Sequence, residues 1–143
     1  MIARATPCHA AALAEIESQQ PRAAGWKQQG FETELLQPCA QIYYTQQGKE
    51  LTAFLALRAT HGFAEILNVA VLPRYTRQGL AFRLLTYALA CLKQQRVEQV
   101  TLEVSQHNAA AVALYRKAGL RILGERKDFY GPSQHAFIMG IDL

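Results

Sequence analysis

Apolar residues recur at three- and four-residue spacing between Gly79 and Gln95. Ala81, Leu84, Leu85, Ala88, Leu89 and Leu92 fall on one side, with Arg83, Tyr87 and Gln94 opposite. This spacing predicts an amphipathic helix. Directly afterwards, Gln99 to Ser105 alternates: Val100, Leu102 and Val104 share one face, Thr101, Glu103 and Ser105 the other. That is the pattern of a half-buried strand, and a strand reached through a helix predicts a parallel crossover.

Ile2 to Ala5 reads as a first strand. Pro7 then suits the first turn of a helix capped by Thr6 and running to about Ser18, with Ala10, Leu13, Ala14 and Ile16 turned inward. Pro21 to Gly30 is a breaker-rich stretch holding the only Trp, followed by a short helix from Phe31 to Gln37 that Pro38 stops. Gln41 to Gln46 and Leu51 to Leu57 are strand-like runs separated by Gln47-Gly48-Lys49, a hairpin signal, and Phe63 to Leu72 extends the antiparallel meander. Asn108 reads as the N-cap of an alanine-rich helix through Lys117, ended by Gly119. Leu120 to Phe129 and Ala136 to Ile141 are closing strands joined around Gly131-Pro132.

Composition narrows the class. At 143 residues, 50% of them apolar, with no repeat and no glycine- or proline-rich tract, the chain has the make-up of a single globular domain. The net charge of +4 comes from scattered Lys and Arg, with a local excess at Arg116-Lys117, Arg121 and Arg126-Lys127. This suits a polyanionic ligand and draws no nucleic-acid stripe. Cys8, Cys39 and Cys91 are widely spaced and form no CxxC pair, which argues against a disulfide framework or a zinc site. They read as buried small hydrophobes in a reducing cytosol. The start of the chain lacks the apolar run of a signal peptide, and no stretch approaches the roughly eighteen apolar residues of a membrane span, so a cytoplasmic location is expected. His9, His61, His107 and His135 show no metal-ligand spacing, and no serine stands in a G-x-S-x-G elbow.

Three places can carry chemistry. The loop Pro73-Arg74-Tyr75-Thr76-Arg77-Gln78-Gly79 joins a strand to the long helix. Unpaired N–H groups at that helix start, with the positive end of its dipole, suit a phosphate or pyrophosphate; a plain strand-to-helix turn explains Gly79 equally well. Glu103 is a carboxylate in the middle of a strand, either a general base lining a cleft or a glutamate on a solvated sheet face. Tyr115 can donate a proton to a departing anion or pack in the core with its hydroxyl at the surface. Asn108 is explained as an N-cap, and a ligand contact would be additional. Trp26 and Phe129-Tyr130 fit a substrate groove or an aromatic core.

Strand, phosphate-type turn, long helix, strand with Glu103, Asn-capped helix with Tyr115 and closing strands follow in an order that resembles the GNAT acetyltransferases. Asn68-Val69-Ala70-Val71, Arg77-Gln78-Gly79-Leu80-Ala81, Leu102-Glu103-Val104, Asn108-Ala109-Ala110-Ala111 and Ala113-Leu114-Tyr115 carry the resemblance. It is strongest from about Ala64 to Tyr130 and points toward the branch that acetylates the N-terminal alanine of ribosomal proteins. The resemblance implies an α/β fold of α+β character, with a mixed, mostly antiparallel central sheet splayed between its fourth and fifth strands and flanked by helices. It implies acetyl-CoA as cofactor, with no metal. The backbone of Val69, Ala70 and Val71 would bind the pantetheine arm and acetyl carbonyl, and Arg77, Gln78, Gly79, Leu80, Ala81 and Phe82 would cradle the pyrophosphate, with Asn108 a further cofactor contact. Glu103 would be the general base for the substrate ammonium and Tyr115 the general acid for the thiolate, with direct attack by the amine. The implied acceptor is a protein N-terminus, such as a ribosomal protein beginning with alanine. A polyamine or aminoglycoside amine, or a non-catalytic CoA-binding module, are the alternatives. The chemistry favours an α-amino group, whose pKa of about 8 asks less of a base than the roughly 10.4 of a lysine amine. Two positions depart from the family pattern. Thr76 stands where Gln or Arg is usual, which predicts a weaker cofactor contact, and Ala24-Gly25-Trp26 replaces a Phe-Pro-Trp segment near the substrate.

Overall fold

The computed structural model describes residues 1–21 and 24–143; positions 22 and 23, within the breaker-rich stretch, lie outside the described residues. One seven-stranded sheet runs through the molecule in the order β1-β2-β3-β4-β5-β7-β6. Its strands are β1 (Ile2–Arg4), β2 (Ala40–Gln47), β3 (Glu50–Thr60), β4 (Phe63–Val71), β5 (Gln99–Ser105), β6 (Arg121–Arg126) and β7 (Ala136–Asp142). The helices are α1 (Ala10–Ser18), α2 (Lys27–Leu35), α3 (Leu80–Gln94) and α4 (Ala109–Lys117), with 3-10 turns at Pro7–His9 and Pro73–Tyr75.

All neighbouring pairs are antiparallel except β4 with β5, which run parallel. This is the arrangement a helical crossover through α3 requires. Two apolar clusters form. Leu84, Leu85, Ala88 and Leu92 of α3 meet Leu55, Leu57, Val100 and Leu102 in one. Leu13 and Ile16 of α1, with Phe31 of α2, meet Ile42, Phe54 and Ala70 in the other. β3 supplies alternate residues to both clusters because successive strand side chains point to opposite faces.

Four expectations change. The first helix begins as a 3-10 turn at Pro7, where the Thr6 N–H donates to His9 Nδ1 at 2.9 Å. The second helix starts four residues earlier than Phe31 and ends at Leu35. Gly30, counted among the breakers, sits inside it because a Cβ there would lie 3.1 Å from Trp26 Cβ. The first closing strand stops at Arg126 and not at Phe129, since Asp128 turns the chain at φ 56 and accepts from the Ser133 N–H at 2.7 Å. The cysteines are less buried than expected: Cys8 is exposed, and Cys39 and Cys91 are half-buried, Cys91 packing against the α3 cluster, all three as free thiols.

Candidate active site

β4 and β5 pair over only four residues each, from Phe63 with Gln99 to Ile66 with Leu102. Beyond Ile66 the β3–β4 register shifts, leaving Leu67 as an extra residue between the pairs Leu57–Ile66 and Ala56–Asn68. A bulge bends its strand and changes which face the following residues present. Accordingly Ala64 and Ile66 pack with the α3 cluster, whereas Ala70 and Leu72 pack with the α1 cluster. The same bend carries β4 away from β5 and opens the expected splay.

Backbone groups in the opened half of β4 alternate in direction. The Leu72 N–H donates to Thr52 O on β3 at 2.9 Å. Ala70, two residues earlier, therefore also addresses β3, and the N–H and C=O groups of Val69 and Val71 point into the split. The Val71 carbonyl is already taken by Gln20 Nε2 at 2.9 Å.

The loop after β4 ends at Gly79, whose φ of 76 is left-handed and suits glycine; Arg77, at φ 64, adopts the same region. The first i→i−4 bond of α3 runs from the Arg83 N–H to Gly79 O at 3.0 Å. The N–H groups of Leu80, Ala81 and Phe82 lie ahead of it, at the positive end of the helix dipole. Thr76 spends its hydroxyl proton inside the loop, donating to Pro73 O at 2.8 Å. Glu50 anchors the loop from β3 by accepting from the Tyr75 hydroxyl at 2.9 Å and pairing with Arg74. At the far side of the α3 start, Lys117 of α4 holds its ammonium 4.5 Å from the centre of the Phe82 ring.

The splay opens a cleft of about 920 Å³ whose wall includes Asn68, Val69, Glu103, Asn108, Tyr115 and Tyr130. Glu103 and Tyr115, nominated separately from the sequence, thus share one cavity with the opened half of β4. Asn108 does cap α4, its Oδ1 accepting from the Ala111 N–H at 3.2 Å, and also lines the cleft. Tyr115 is buried, and burial, with the neighbouring Tyr130, pushes its hydroxyl pKa up to about 12. Glu103 is partly exposed in the cleft wall and paired: its Oε1 accepts from Arg126 Nη1 at 2.7 Å, and the same guanidinium stacks 4.5 Å above the Phe129 ring. Trp26 packs against Phe31 at 5.1 Å between ring centres, so it serves the core, whereas Tyr130 lines the cleft.

Sequence reasoning missed Arg126, His107 and Gln134 beside this cleft, and Glu17 and Gln20 beside a second opening of about 390 Å³ that shares Asn68, Val69, His107 and Asn108 with the first. Arg126 stood out only as part of a basic cluster, and the signal for Glu17 is a carboxylate one turn after Leu13 on the inward face of a helix.

The chain is 31% identical over 128 residues to the ribosomal protein bS18-alanine N-acetyltransferase of Escherichia coli K12, covering 87% of this chain and 86% of that one. Against the enzyme of the same description from Haemophilus ducreyi it is 33% identical over 106 residues, 71% of this chain and 72% of that one. The crystal structure of the Escherichia coli ribosomal-protein-S18-alanine N-acetyltransferase superposes with a TM-score of 0.92 at 28% identity, over 99% of this chain and 92% of that one. The fold is shared with a Thermoplasma acidophilum PaiA N-acetyltransferase solved with coenzyme A, at a TM-score of 0.83 and 18% identity over 100% and 98% of the two chains. Residues 9–120 match the acetyltransferase (GNAT) family, and the chain belongs to it.

Proposed function

We propose that this acetyltransferase uses acetyl-CoA to acetylate the N-terminal α-amino group of a protein beginning with a small residue, such as a ribosomal protein with N-terminal alanine. The observation that carries the reading is the meeting of Glu103, Tyr115 and the outward backbone of Val69 in one cleft at the splay. The likeness to the bS18-alanine N-acetyltransferases, over most of both chains, supports the choice of acceptor.

The residues present fit the cofactor. First-turn N–H groups of α3, from Leu80 to Phe82, with Arg77, Gln78 and Gly79 before them, match a pyrophosphate. Val69 and Val71 offer an unfinished strand edge to an amide-bearing arm, with Ala70 fixing that edge to β3, and Asn108 adds a contact from α4. When bound, acetyl-CoA supplies the thioester carbonyl and the thiolate leaving group. Glu103 takes the proton from the acceptor ammonium, directly or through water, so that the free amine attacks. Tyr115, kept protonated by its raised pKa, supplies the proton to the departing sulfur. An α-amino group near pKa 8 is largely protonated at neutral pH, which is why a carboxylate is needed.

The test is mass spectrometry of an alanine-initiated peptide incubated with enzyme and acetyl-CoA. A gain of one acetyl group at the α-amine is expected. An unmodified peptide alongside acetylated spermidine would overturn the choice of acceptor.

A further inference from the structure

Glu17 is a carboxylate on the inward face of α1, 3% exposed, with Leu13 and Ile16 beside it in the apolar cluster. Burying a charge is costly unless its hydrogen bonds are satisfied. Two donors meet it: the Lys27 N–H reaches Oε1 at 3.2 Å, and Asn68 Nδ2 reaches Oε2 at 2.8 Å. The donors belong to different parts of the site. Asn68 is the first paired residue beyond the bulge, on the opened half of β4. Lys27 opens α2 at φ 58, a conformation that side chains other than glycine rarely adopt, three residues from the cleft-lining Ala24. Just past the end of α1, Gln20 Nε2 donates to Ile16 O at 3.0 Å and to Val71 O at 2.9 Å. The end of α1 therefore grips the opened strand at two points and the entry of α2 at a third.

The geometry points to Glu17 as a positioning residue for the acceptor: its carboxylate fixes the wall formed by the entry of α2 against the strand half that Val69 occupies. Glu17 and Asn68 line the second opening together, on the side of the sheet that carries α1. A carboxylate suits this task because both its oxygens accept, so it can receive two donors at once. Methionine, of similar length, accepts from neither and leaves both donors without the carboxylate. Glutamine restores both bonds in neutral form: its oxygen accepts from the Lys27 N–H, and its NH₂ donates to Asn68 Oδ1 once that side-chain amide turns over.

This inference rests on the cleft being the acetyl-transfer site, and the experiment separates the two. Amide hydrogen exchange is measured on wild type, Glu17→Met and Glu17→Gln, together with steady-state kinetics on an alanine-initiated peptide. Exchange at the Lys27 amide should accelerate roughly tenfold or more in Glu17→Met and return to within about threefold of wild type in Glu17→Gln. KM for the peptide should follow the same order, while KM for acetyl-CoA changes little; Glu17→Met melts a few degrees lower because two buried donors lose their acceptor. Unchanged exchange at Lys27 in Glu17→Met, or a Glu17→Gln variant no better than Glu17→Met, overturns the inference. A purely structural role is excluded in the same data, because it would move both KM values together. Hydrogen exchange needs no acceptor, so a wild-type enzyme that leaves the peptide unmodified counts against the proposed substrate and not against Glu17.

Discussion

Tyr115 shows how one side chain is tuned by its place. Its ring fills the α3 cluster and its hydroxyl belongs to the cleft wall, so the packing that stabilises it also removes water from around the oxygen. Desolvation disfavours the phenolate, which is the cause of the rise to about 12. Two outcomes follow. Tyr115→Phe keeps the packing and loses the proton, so kcat should fall by roughly ten- to ten-thousand-fold, with the melting temperature nearly unchanged. In the wild type, kcat/KM should rise as the acceptor amine loses its proton near pH 8 and stay level to about pH 10, because Tyr115 is still protonated there. A descending limb below pH 9 in the wild type, absent from Tyr115→Phe, would contradict this assignment. The sign for stability is the same: the folded pKa lies above the unfolded value near 10, so the contribution of this group is intact below pH 10 and is lost as pH rises toward 12.

At the scale of elements, the loop between β4 and α3 depends on contacts made outside it. Glu50, at the start of β3, holds both Arg74 and Tyr75. Glu50→Ala should raise KM for acetyl-CoA several-fold while leaving the acceptor KM within about twofold, since the loop is the proposed pyrophosphate cradle. Gly79→Ala should act in the same direction through backbone strain of about 1 kcal/mol, because a Cβ at φ 76 meets no neighbour and only the conformation is penalised. These elements differ in how far the sequence specified them. β5 matches its alternating pattern to the residue, and α3 its periodicity within one residue at either end, because side-chain spacing alone sets those structures. The bulge at Leu67, which creates the splay, has no local signature: Phe63 to Leu72 reads as one unbroken strand-like run. The early start of α2 is likewise set by the Glu17 bond to Lys27 and by Trp26 packing on Phe31, contacts that no hydrophobic pattern announces. For the cleft wall, residue types and their order singled out Glu103, Asn108 and Tyr115. The Arg126 partner of Glu103 comes from 23 residues away and the Asn68 partner of Glu17 from 51, and such pairings exist only once the sheet has formed.

Across the whole molecule the sheet falls into two parts, β1 to β4 and β5 with β7 and β6, joined along the sheet by the short β4–β5 ladder. Next to that ladder the strands part, and the edge of Val69 and Val71 faces the split instead of a neighbouring strand, with only the Val71 carbonyl met, by Gln20. In the proposed reading, a cofactor seated there would complete the edge on the β4 side and meet Asn108 on the other part, which would tie binding to closure of the sheet. Ligand that binds only the folded state stabilises it by about 2.7 kcal/mol at a hundred times its dissociation constant. For a chain of this size that corresponds to a rise of roughly 5–10 °C in melting temperature. The rise should be smaller in Glu50→Ala, whose cofactor loop is loosened, and undiminished in Tyr115→Phe, which leaves the cradle whole. Hydrogen exchange locates the effect: acetyl-CoA should slow the Val69 and Val71 amides, which face the split, and leave the Ala70 amide, already bonded toward β3, unchanged. Uniform slowing across β4, or none at Val69, would mean that the cofactor stabilises the molecule from somewhere other than the splay.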